Sequence, residues 1–342
     1  MRFYSLDAAR GFAAISVVLF HLYSGITGFR HLFLFVDFFF VLSGFVLAPS
    51  IAELSSFEKN RKFLWNRFVR LFPMAYSALL FVIGIQLIVE LKYRIVGEDL
   101  SESIPLDLAT LLASFLLLQV FSAKSQLLLY PLWSLSSEWL TNLFSSSIFF
   151  LSMIKKVILF VLLGSILIGI SLAIESYPNL QNCANQVGRG FLGFGLGILS
   201  FEYRNVWNTR SNSISLIIIA ISSPLFAFYV NSKSFAIAMY LSPLMFTISV
   251  LSLYKLETQM CITPPIPICR YLGRISYGVY VWHVVATNIL SLISKNCGLH
   301  IFEPLELFGI PRLLLVLCIT IACTEIVLKF VEAPIRRKMT YV

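Results

Sequence analysis

Long apolar segments follow one another along nearly the whole chain, and this feature constrains the fold more than any other. They lie near residues 5–24, 31–50, 72–91, 105–122, 133–151, 156–174, 187–201, 213–230, 234–254, 271–294 and 310–330. A helix that crosses the hydrocarbon core of a bilayer needs about 20 predominantly apolar residues. Because 58% of the 342 residues are hydrophobic and only 13% are charged, the sequence predicts an all-α, polytopic transmembrane helical bundle. We expect a single integral membrane domain over residues 1–342.

The positions of the basic residues predict how the chain crosses the membrane. Five of them lie in an expected loop between Ile51 and Leu71, and the tail holds Arg336, Arg337 and Lys338. Because basic residues gather on the cytoplasmic side, we expect both termini in the cytoplasm and an even number of crossings. Eleven apolar segments are one too many. We therefore predict about ten spanning helices and one re-entrant or broken segment between residues 72 and 122, since irregular backbone is tolerated where protein or water surrounds it.

The first apolar segment contains Asp7, Arg10 and His21, where apolar residues would cost less. The step from Arg10 to His21 closes to within roughly 20° of whole turns, so both share one helix face about 16 Å apart along the axis. An ionisable residue inside a span costs about 2.5–3.5 kcal/mol on insertion scales, which indicates function or pairing. His21 could act as a general base toward a hydroxyl. Alternatively, Asp7 and Arg10 neutralise each other and His21 only caps the other end.

Polar residues also interrupt later apolar segments. Glu138 should either pair with a cation or hydrogen-bond a substrate hydroxyl, because an unpaired buried carboxylate is costly. Asp37 and Ser43 could contact substrate or form hydrogen bonds between helices. Polar side chains also recur at three- and four-residue steps in the segment near residues 271–294, and so form a stripe on one helix face. This stripe could line a cavity or contact another helix. It comprises Ser276, Tyr280, His283 and Thr287.

Several binding functions find no support in the sequence. The net charge of +9 does not indicate nucleic acid, because the basic residues lie in short loops between apolar segments. The glycine-rich stretch from Gly188 to Leu199 has the letters of a dinucleotide fingerprint without its βαβ context; close packing of membrane helices is the ordinary explanation. The six cysteines form no C-x-x-C pair, so we predict no metal site and no tightly bound cofactor.

Six motifs carry a resemblance to a known family. Arg10 and His21 form R-x10-H, which is similar to the signature of the acyltransferase 3 family of membrane acyltransferases. Five more motifs follow in the family's order, namely V-D-F-F-F-V-L-S-G-F-V-L from Val36, R-F-V-R-L-F-P-M-A-Y from Arg67, W-S-L-S-S-E-W from Trp133, I-S-Y-G-V-Y-V-W-H from Ile275 and V-E-A-P-I-R-R from Val331. Any one motif is unremarkable in a hydrophobic protein, but six in order along the whole chain make the resemblance specific.

The resemblance implies transfer of an acyl group, usually acetyl, from cytoplasmic acyl-coenzyme A to a glycan or similar hydroxyl compound across the bacterial inner membrane. In that picture His21 is the catalytic base or a transient acyl carrier, and Arg10 positions donor or intermediate. Glu138, singled out by the cost of a buried carboxylate, completes the candidate catalytic set. Arg67 and Arg70, three apart beside the membrane, could pair with coenzyme A phosphates or simply anchor the chain. Candidates for acceptor binding are Trp133, Ser134, Tyr280, His283, Asp37 and Ser43.

A transporter or flippase for an amphipathic or lipid-linked substrate would also have about ten spans and intramembrane charges. It does not account for the ordered series of acyltransferase-like motifs, so acyl transfer is the leading hypothesis. The sequence does not identify the acceptor, and it does not choose between a covalent acyl-histidine and direct transfer. The sequence also does not choose which group donates a hydrogen bond to the oxyanion of the tetrahedral intermediate. The candidates are Ser134, Tyr280 and an arginine from another helix.

Overall fold

The computed structural model describes residues 3–96, 106–205, 212–260, 266–297 and 305–339. Within these ranges every regular element is helical. The α-helices are α1 Tyr4–Tyr23, α2 Phe35–Ala52, α3 Phe57–Val96, α4 Leu108–Phe115, α5 Ala123–Leu128, α6 Leu132–Ser147, α7 Met153–Ala173, α8 Pro178–Glu202, α9 Ser213–Lys233, α10 Phe235–Met260, α11 Ile266–Cys297, α12 Leu305–Val327 and α13 Ala333–Met339. The prediction of an all-α, polytopic fold is confirmed.

Among the described helices, eight are long and apolar enough to cross a membrane, by length and composition. They are α1, α2, α3, α7, α9, α10, α11 and α12 with its continuation into α13. The helix α8 is long enough, with 25 residues, but its glycines and polar residues lower its hydropathy. The helix α6 has 16 residues, which span about 24 Å. The predicted ten spans would require both of these helices, so that number stays a prediction.

The basic stretch between residues 51 and 71 is mostly helical. α3 begins at Phe57 and continues through Arg67 and Arg70 to Val96 as one helix of 40 residues. The expectation of a loop in this stretch is wrong, and the physical reason is that lysine and arginine are good helix formers. Forty residues span about 60 Å, twice the hydrocarbon core, so the basic turns of α3 can extend beyond the core.

The apolar segment near residues 105–122 is broken, as the odd segment count predicts for this part of the chain. It contains α4, whose eight residues span only about 12 Å. Leu117 then adopts a left-handed backbone with φ of 51°, and the amide of Leu118 donates to the carbonyl of Ala113 at 2.7 Å. This is the usual way to end a helix, although glycine is the preferred residue. The side chain of Leu117 is fully buried, which offsets the strain.

The chain divides into two compact units. Unit 1 comprises Met1–Trp65 and Ser137–Tyr277, and unit 2 comprises Asn66–Ser136 and Gly278–Val342. The boundaries fall inside α3, α6 and α11. The expectation of one domain over residues 1–342 stays a prediction.

In unit 1, the glycine-rich helix α8 packs against both α2 and α7. A Cβ atom added to Gly197 would lie 2.1 Å from the carbonyl oxygen of Val41, and one added to Gly44 would lie 2.1 Å from that of Phe194. On the α7 side, a Cβ at Gly164 would lie 2.4 Å from the amide nitrogen of Leu192. Backbone approaches this close require glycine, so the packing interpretation of the Gly188–Leu199 stretch is confirmed.

In unit 2, buried polar contacts hold the short helices to α6. The hydroxyl of Ser136 donates to the side-chain carbonyl of Gln119 at 2.7 Å and accepts from the Gln119 amide nitrogen at 3.1 Å. Both residues are fully buried. The Ser136 hydroxyl thus provides a hydrogen-bond partner for a backbone amide in the irregular segment between α4 and α5. Backbone groups that are buried away from water require such partners.

Candidate functional site

His21 lies in the last turn of α1 and is partly exposed. Its Nδ1 is 2.9 Å from the carbonyl oxygen of Val17. A carbonyl oxygen only accepts hydrogen bonds, so Nδ1 carries the proton and donates. In the neutral ring the lone pair is therefore on Nε2. This arrangement fixes the tautomer that a proton acceptor at Nε2 requires.

Arg10 lies near the opposite end of α1 and forms an ion pair with Asp7. The nearest nitrogen and oxygen are 4.0 Å apart, and both side chains are partly exposed. Arg10 and His21 stay about 16 Å apart along this continuous helix, as the spacing predicts. The ion pair that is expected if Asp7 and Arg10 neutralise each other is thus present.

The first turn of α1 is held by Glu257 from α10. Its carboxylate accepts from the backbone amides of Tyr4 and Ser5 at 2.9 and 2.8 Å, and from the Ser5 hydroxyl at 2.6 Å. A carboxylate at a helix N-terminus satisfies amides that have no partner within the helix and opposes the positive end of its dipole. This contact therefore anchors the helix that carries His21.

Two predicted site residues meet in unit 1. The hydroxyl of Ser43 on α2 donates to Oε1 of Glu138 on α6 at 2.9 Å. Both side chains are partly exposed. The hydrogen bond fixes the orientation of the carboxylate while leaving it further lone pairs as an acceptor. A sugar hydroxyl is a suitable donor for such a group.

Asp37 on α2 is fully buried in an ion pair that sequence reasoning missed. Its Oδ1 accepts from Nε of Arg189 on α8 at 2.8 Å, and its Oδ2 accepts from the hydroxyl of Ser242 on α10 at 2.6 Å. These contacts give Asp37 a structural role, and its predicted contact with acceptor stays untested. A signal was present, because Arg189 is a single cation within an apolar run and requires a buried anion.

Aromatic side chains connect this ion pair to the end of α1. The guanidinium carbon of Arg189 lies 5.5 Å from the ring centroid of Phe33. Phe33 lies 5.7 Å from Phe20, and Phe20 lies 5.0 Å from His21, measured between ring centroids. The buried pair and the His21 imidazole therefore belong to one contiguous group of side chains in unit 1.

In unit 2, Ser134 on α6 and Tyr280 on α11 form a buried hydroxyl pair. Their oxygens are 2.7 Å apart, and each lies within hydrogen-bonding distance of the carbonyl oxygen of Pro131, at 3.1 and 3.3 Å. Trp133 beside them is also buried. Hydroxyls engaged in this way hold the start of α6 to α11, and their roles toward substrate stay predictions.

His283 repeats the backbone contact of His21 in a different environment. Its Nδ1 lies 3.2 Å from the carbonyl oxygen of Val279, and its side chain is fully buried. One turn later, the hydroxyl of Thr287 donates to the carbonyl of His283 at 2.8 Å. Much of the predicted polar stripe on α11 therefore bonds to its own helix, as hydroxyls in apolar surroundings do.

The basic motif of α3 meets the C-terminal motif in unit 2. Arg70 lies 3.7 Å from Oε1 of Glu332, and Arg336 lies 2.5 Å from the same oxygen. Glu332 ends a π-helical turn, Leu328–Glu332, that precedes Pro334. Proline has no amide hydrogen and clashes with the carbonyl four residues before it, which explains the widened turn. Arg67 lies one turn before Arg70 on α3.

His31, between α1 and α2, lies outside the spanning segments. The side-chain amide of Asn231 on α9 donates to its Nδ1 at 2.7 Å. Burial and, to a smaller extent, the nearby Arg30 lower the pKa of His31 below its ordinary value. The neutral ring that this bond requires is therefore favoured near neutral pH.

Across the described ranges, no group of three or more histidine, cysteine, aspartate or glutamate side chains could hold a metal ion. The chemistry available at these positions is that of imidazole, carboxylate, hydroxyl and guanidinium groups.

A family profile described as an acyltransferase domain, that of acyltransferase 3, matches residues 3–328. The chain belongs to the acyltransferase 3 family. ORF330 of the Acidianus two-tailed virus, which is named as a proposed acetyltransferase, is 25% identical over 305 residues that cover 84% of each chain. No solved structure matches the chain. With its apolar helices, this member of the acyltransferase 3 family is a multi-pass membrane acyltransferase.

In this acyltransferase 3 protein, residues from separate motifs contact one another within each unit. Hydrogen bonds or ion pairs join Ser43 to Glu138 in unit 1, and Ser134 to Tyr280 and Arg70 to Glu332 in unit 2. The motifs are far apart in sequence, so it is the fold that brings these residues into contact.

Proposed function

We propose that this protein transfers an acyl group, most simply acetyl, from acyl-coenzyme A to a hydroxyl of a glycan, with His21 as the general base. The observation that carries the proposal is the bond from His21 Nδ1 to the Val17 carbonyl at 2.9 Å. It leaves the basic lone pair of the neutral ring on Nε2, an atom that is itself buried although the residue as a whole is partly exposed. General bases of this kind contribute about 10²–10⁴-fold to a rate.

The reaction balances without a cofactor. Nε2 of His21 takes the proton of the acceptor hydroxyl as its oxygen attacks the thioester carbonyl and a C–O bond forms. The tetrahedral intermediate then breaks its C–S bond, and the thiolate of coenzyme A leaves. The imidazolium returns the proton to this thiolate, which restores the neutral ring. A hydrogen-bond donor must stabilise the oxyanion of the intermediate.

Glu138 and Arg10 have supporting roles in this proposal. The Glu138 carboxylate, held by Ser43 at 2.9 Å, accepts a hydrogen bond from a second hydroxyl of the sugar and so orients the acceptor. Arg10 is about 16 Å from His21 along the helix. It contacts the donor or an intermediate away from the reacting hydroxyl.

The proposed setting is a bacterial inner membrane with both termini in the cytoplasm. The basic residues of α3 and of the tail support this orientation, because arginine and lysine near the ends of spans favour the cytoplasmic face. The Arg70 and Arg336 side chains contact one carboxylate, so the two basic regions lie at the same end of unit 2. Acyl-coenzyme A is available on that face, and the acceptor is a glycan or lipid-linked saccharide.

The test is transfer of radiolabel in membranes that contain the protein. Radiolabelled acetyl-coenzyme A and a glycan extract are supplied, and label in the glycan is counted for the unaltered protein, His21→Ala and His31→Gln at equal abundance. His31 is a matched control, because it is a second partly exposed histidine of unit 1 with no proposed catalytic role. We expect labelling by the unaltered and His31→Gln proteins only. Equal labelling by His21→Ala would remove the catalytic assignment.

A further inference from the structure

Two aromatic side chains lie beside the imidazole of His21 at the end of α1. The rings of Phe20 and His21 are T-shaped, with an interplanar angle of 73° and 5.0 Å between their centroids. The ring of Phe33 lies 5.7 Å from that of Phe20 and is tilted by 51°. Aromatic rings pack against each other when their centroids are about 4.5–7 Å apart. Phe20 and Phe33 therefore form a continuous apolar surface next to the imidazole, which we call the aromatic wall.

The aromatic wall is held in place by a buried cation. The guanidinium carbon of Arg189 lies 5.5 Å from the centroid of the Phe33 ring, which is within the range of a cation–π contact. Arg189 is itself fixed, because its side chain is only 6% exposed and its Nε donates to the fully buried Asp37 at 2.8 Å. Displacing the Phe33 ring would break a contact made away from water, where cation–π attraction is strongest. The position of the ring is therefore well defined.

The space beside the proton-accepting nitrogen is small, because Nε2 of His21 is buried. An acceptor hydroxyl oxygen must come within about 3 Å of Nε2 to give up its proton, and the acyl carbon that it attacks lies about 3 Å further on. The acyl carbon is then within roughly 6 Å of Nε2, a distance comparable with the 5.0 Å between the imidazole and Phe20 centroids. The alkyl part of the acyl group thus comes close to the aromatic wall.

We propose that Phe20 and Phe33 restrict the donor to short acyl groups, so that this protein transfers acetyl in preference to longer chains. The proposal rests on the proposed function, because it requires acyl transfer at His21. An apolar surface suits a methyl group, which has no hydrogen bonds to satisfy. Longer chains are excluded because each added methylene needs space that the two rings occupy, and a packed site makes such space only by distortion.

The experiment compares radiolabelled acetyl-, propionyl- and butyryl-coenzyme A as donors to the full-length, reconstituted protein, with the glycan extract as acceptor. The measured quantity is the ratio of kcat/KM for acetyl to kcat/KM for butyryl. One methylene changes discrimination by about 10–200-fold, so the unaltered protein should prefer acetyl to butyryl by at least about 100-fold. Phe20→Ala and Phe33→Ala should each lower this ratio at least about tenfold, because each removes one ring from the aromatic wall.

The ratio separates specificity from stability, because a variant that is merely less well folded loses rate with all three donors equally. Phe29→Ala is the matched control. Phe29 is another partly exposed phenylalanine between α1 and α2, and its ring packs against Tyr23 at 5.6 Å. Its ratio should stay within about twofold of the unaltered value, as for an independent site. Phe33→Leu should lower the ratio less than Phe33→Ala, and it serves if Phe33→Ala fails to fold.

The outcomes distinguish this inference from the proposed function. Equal use of acetyl and butyryl by the unaltered protein would overturn the inference and leave acyl transfer intact. An unchanged ratio in both Phe20→Ala and Phe33→Ala would do the same, and a raised KM for the glycan in those variants would then assign the aromatic wall to the acceptor. Absence of transfer from every donor by the unaltered protein would overturn the proposed function, and this inference with it.

Discussion

The buried pair between Asp37 and Arg189 provides the sharpest test of the fold. Their side chains are 0% and 6% exposed, so removing one partner leaves a buried charge, which costs about 3–5 kcal/mol. Unfolding entropy near 2.1 cal/mol/K per residue gives about 0.7 kcal/mol/K for a chain of this size. Asp37→Asn and Arg189→Met should therefore each lower the Tm by about 4–7 °C.

The double variant completes the test, because it removes both charges together. Replacement of a buried pair by uncharged residues is often neutral or stabilising, so the double variant should recover at least half of the Tm lost by either single variant. The assay is thermal unfolding of the purified protein in detergent, followed by tryptophan fluorescence. Additive losses in the double variant would refute the account of a compensating buried pair.

Three further predictions concern packing, pH and capping. Gly44→Ala should lower the free energy of unfolding by about 1–3 kcal/mol through overpacking, since its Cβ would lie 2.1 Å from a backbone oxygen. The control is Gly84→Ala, whose Cβ would have no atom within 4 Å and which should raise the stability. Thermal unfolding compares the two variants. The pKa of His31 is lowered in the fold, so at a pH just below the ordinary histidine pKa the unfolded chain binds more protons than the folded chain. The Tm should therefore fall as the pH drops through that window. His31→Gln should lose this pH dependence, and an unchanged dependence of Tm on pH in that variant would contradict the assignment to His31. Glu257→Ala should cost about 0.5–2 kcal/mol by uncapping α1. Glu257→Gln should cost less, because its single oxygen can still accept from the Ser5 amide and hydroxyl, although not from the Tyr4 amide as well. Equal melting temperatures for the unaltered and Glu257→Ala proteins would argue against the cap.

The sequence was informative about the fold where physical requirements are local. Twenty apolar residues identify a span by length alone, and the glycines of α8 predicted close packing that the backbone distances bear out. The helical continuation of α3 through its basic residues was missed, because hydropathy marks where the apolar run begins and not where the helix begins. The end of α4 depends on the left-handed backbone of Leu117. A glycine at that position would have predicted the helix end, but a leucine does not.

The candidate site was predictable as a set of residues and not as a set of contacts. Lone charges in apolar segments identified Arg10 and Glu138 as costly positions, and Asp37 was a candidate for substrate contact or for hydrogen bonds between helices. Their partners come from helices distant in sequence, as Ser43 does for Glu138, and one sequence contains no pairing information at that range. Arg189 was overlooked because its glycine-rich surroundings already had a sufficient packing explanation.

In the proposed mechanism, Nε2 of His21 accepts the proton of the acceptor hydroxyl. The most direct measurement is kcat for acetyl transfer by the purified, reconstituted protein as a function of pH, for unaltered and His21→Ala protein. We expect the unaltered rate to fall at acid pH, where the base is protonated, and His21→Ala to be slower by at least about 100-fold with little remaining pH dependence. An unchanged rate in His21→Ala, with the same acid limb, would contradict the account.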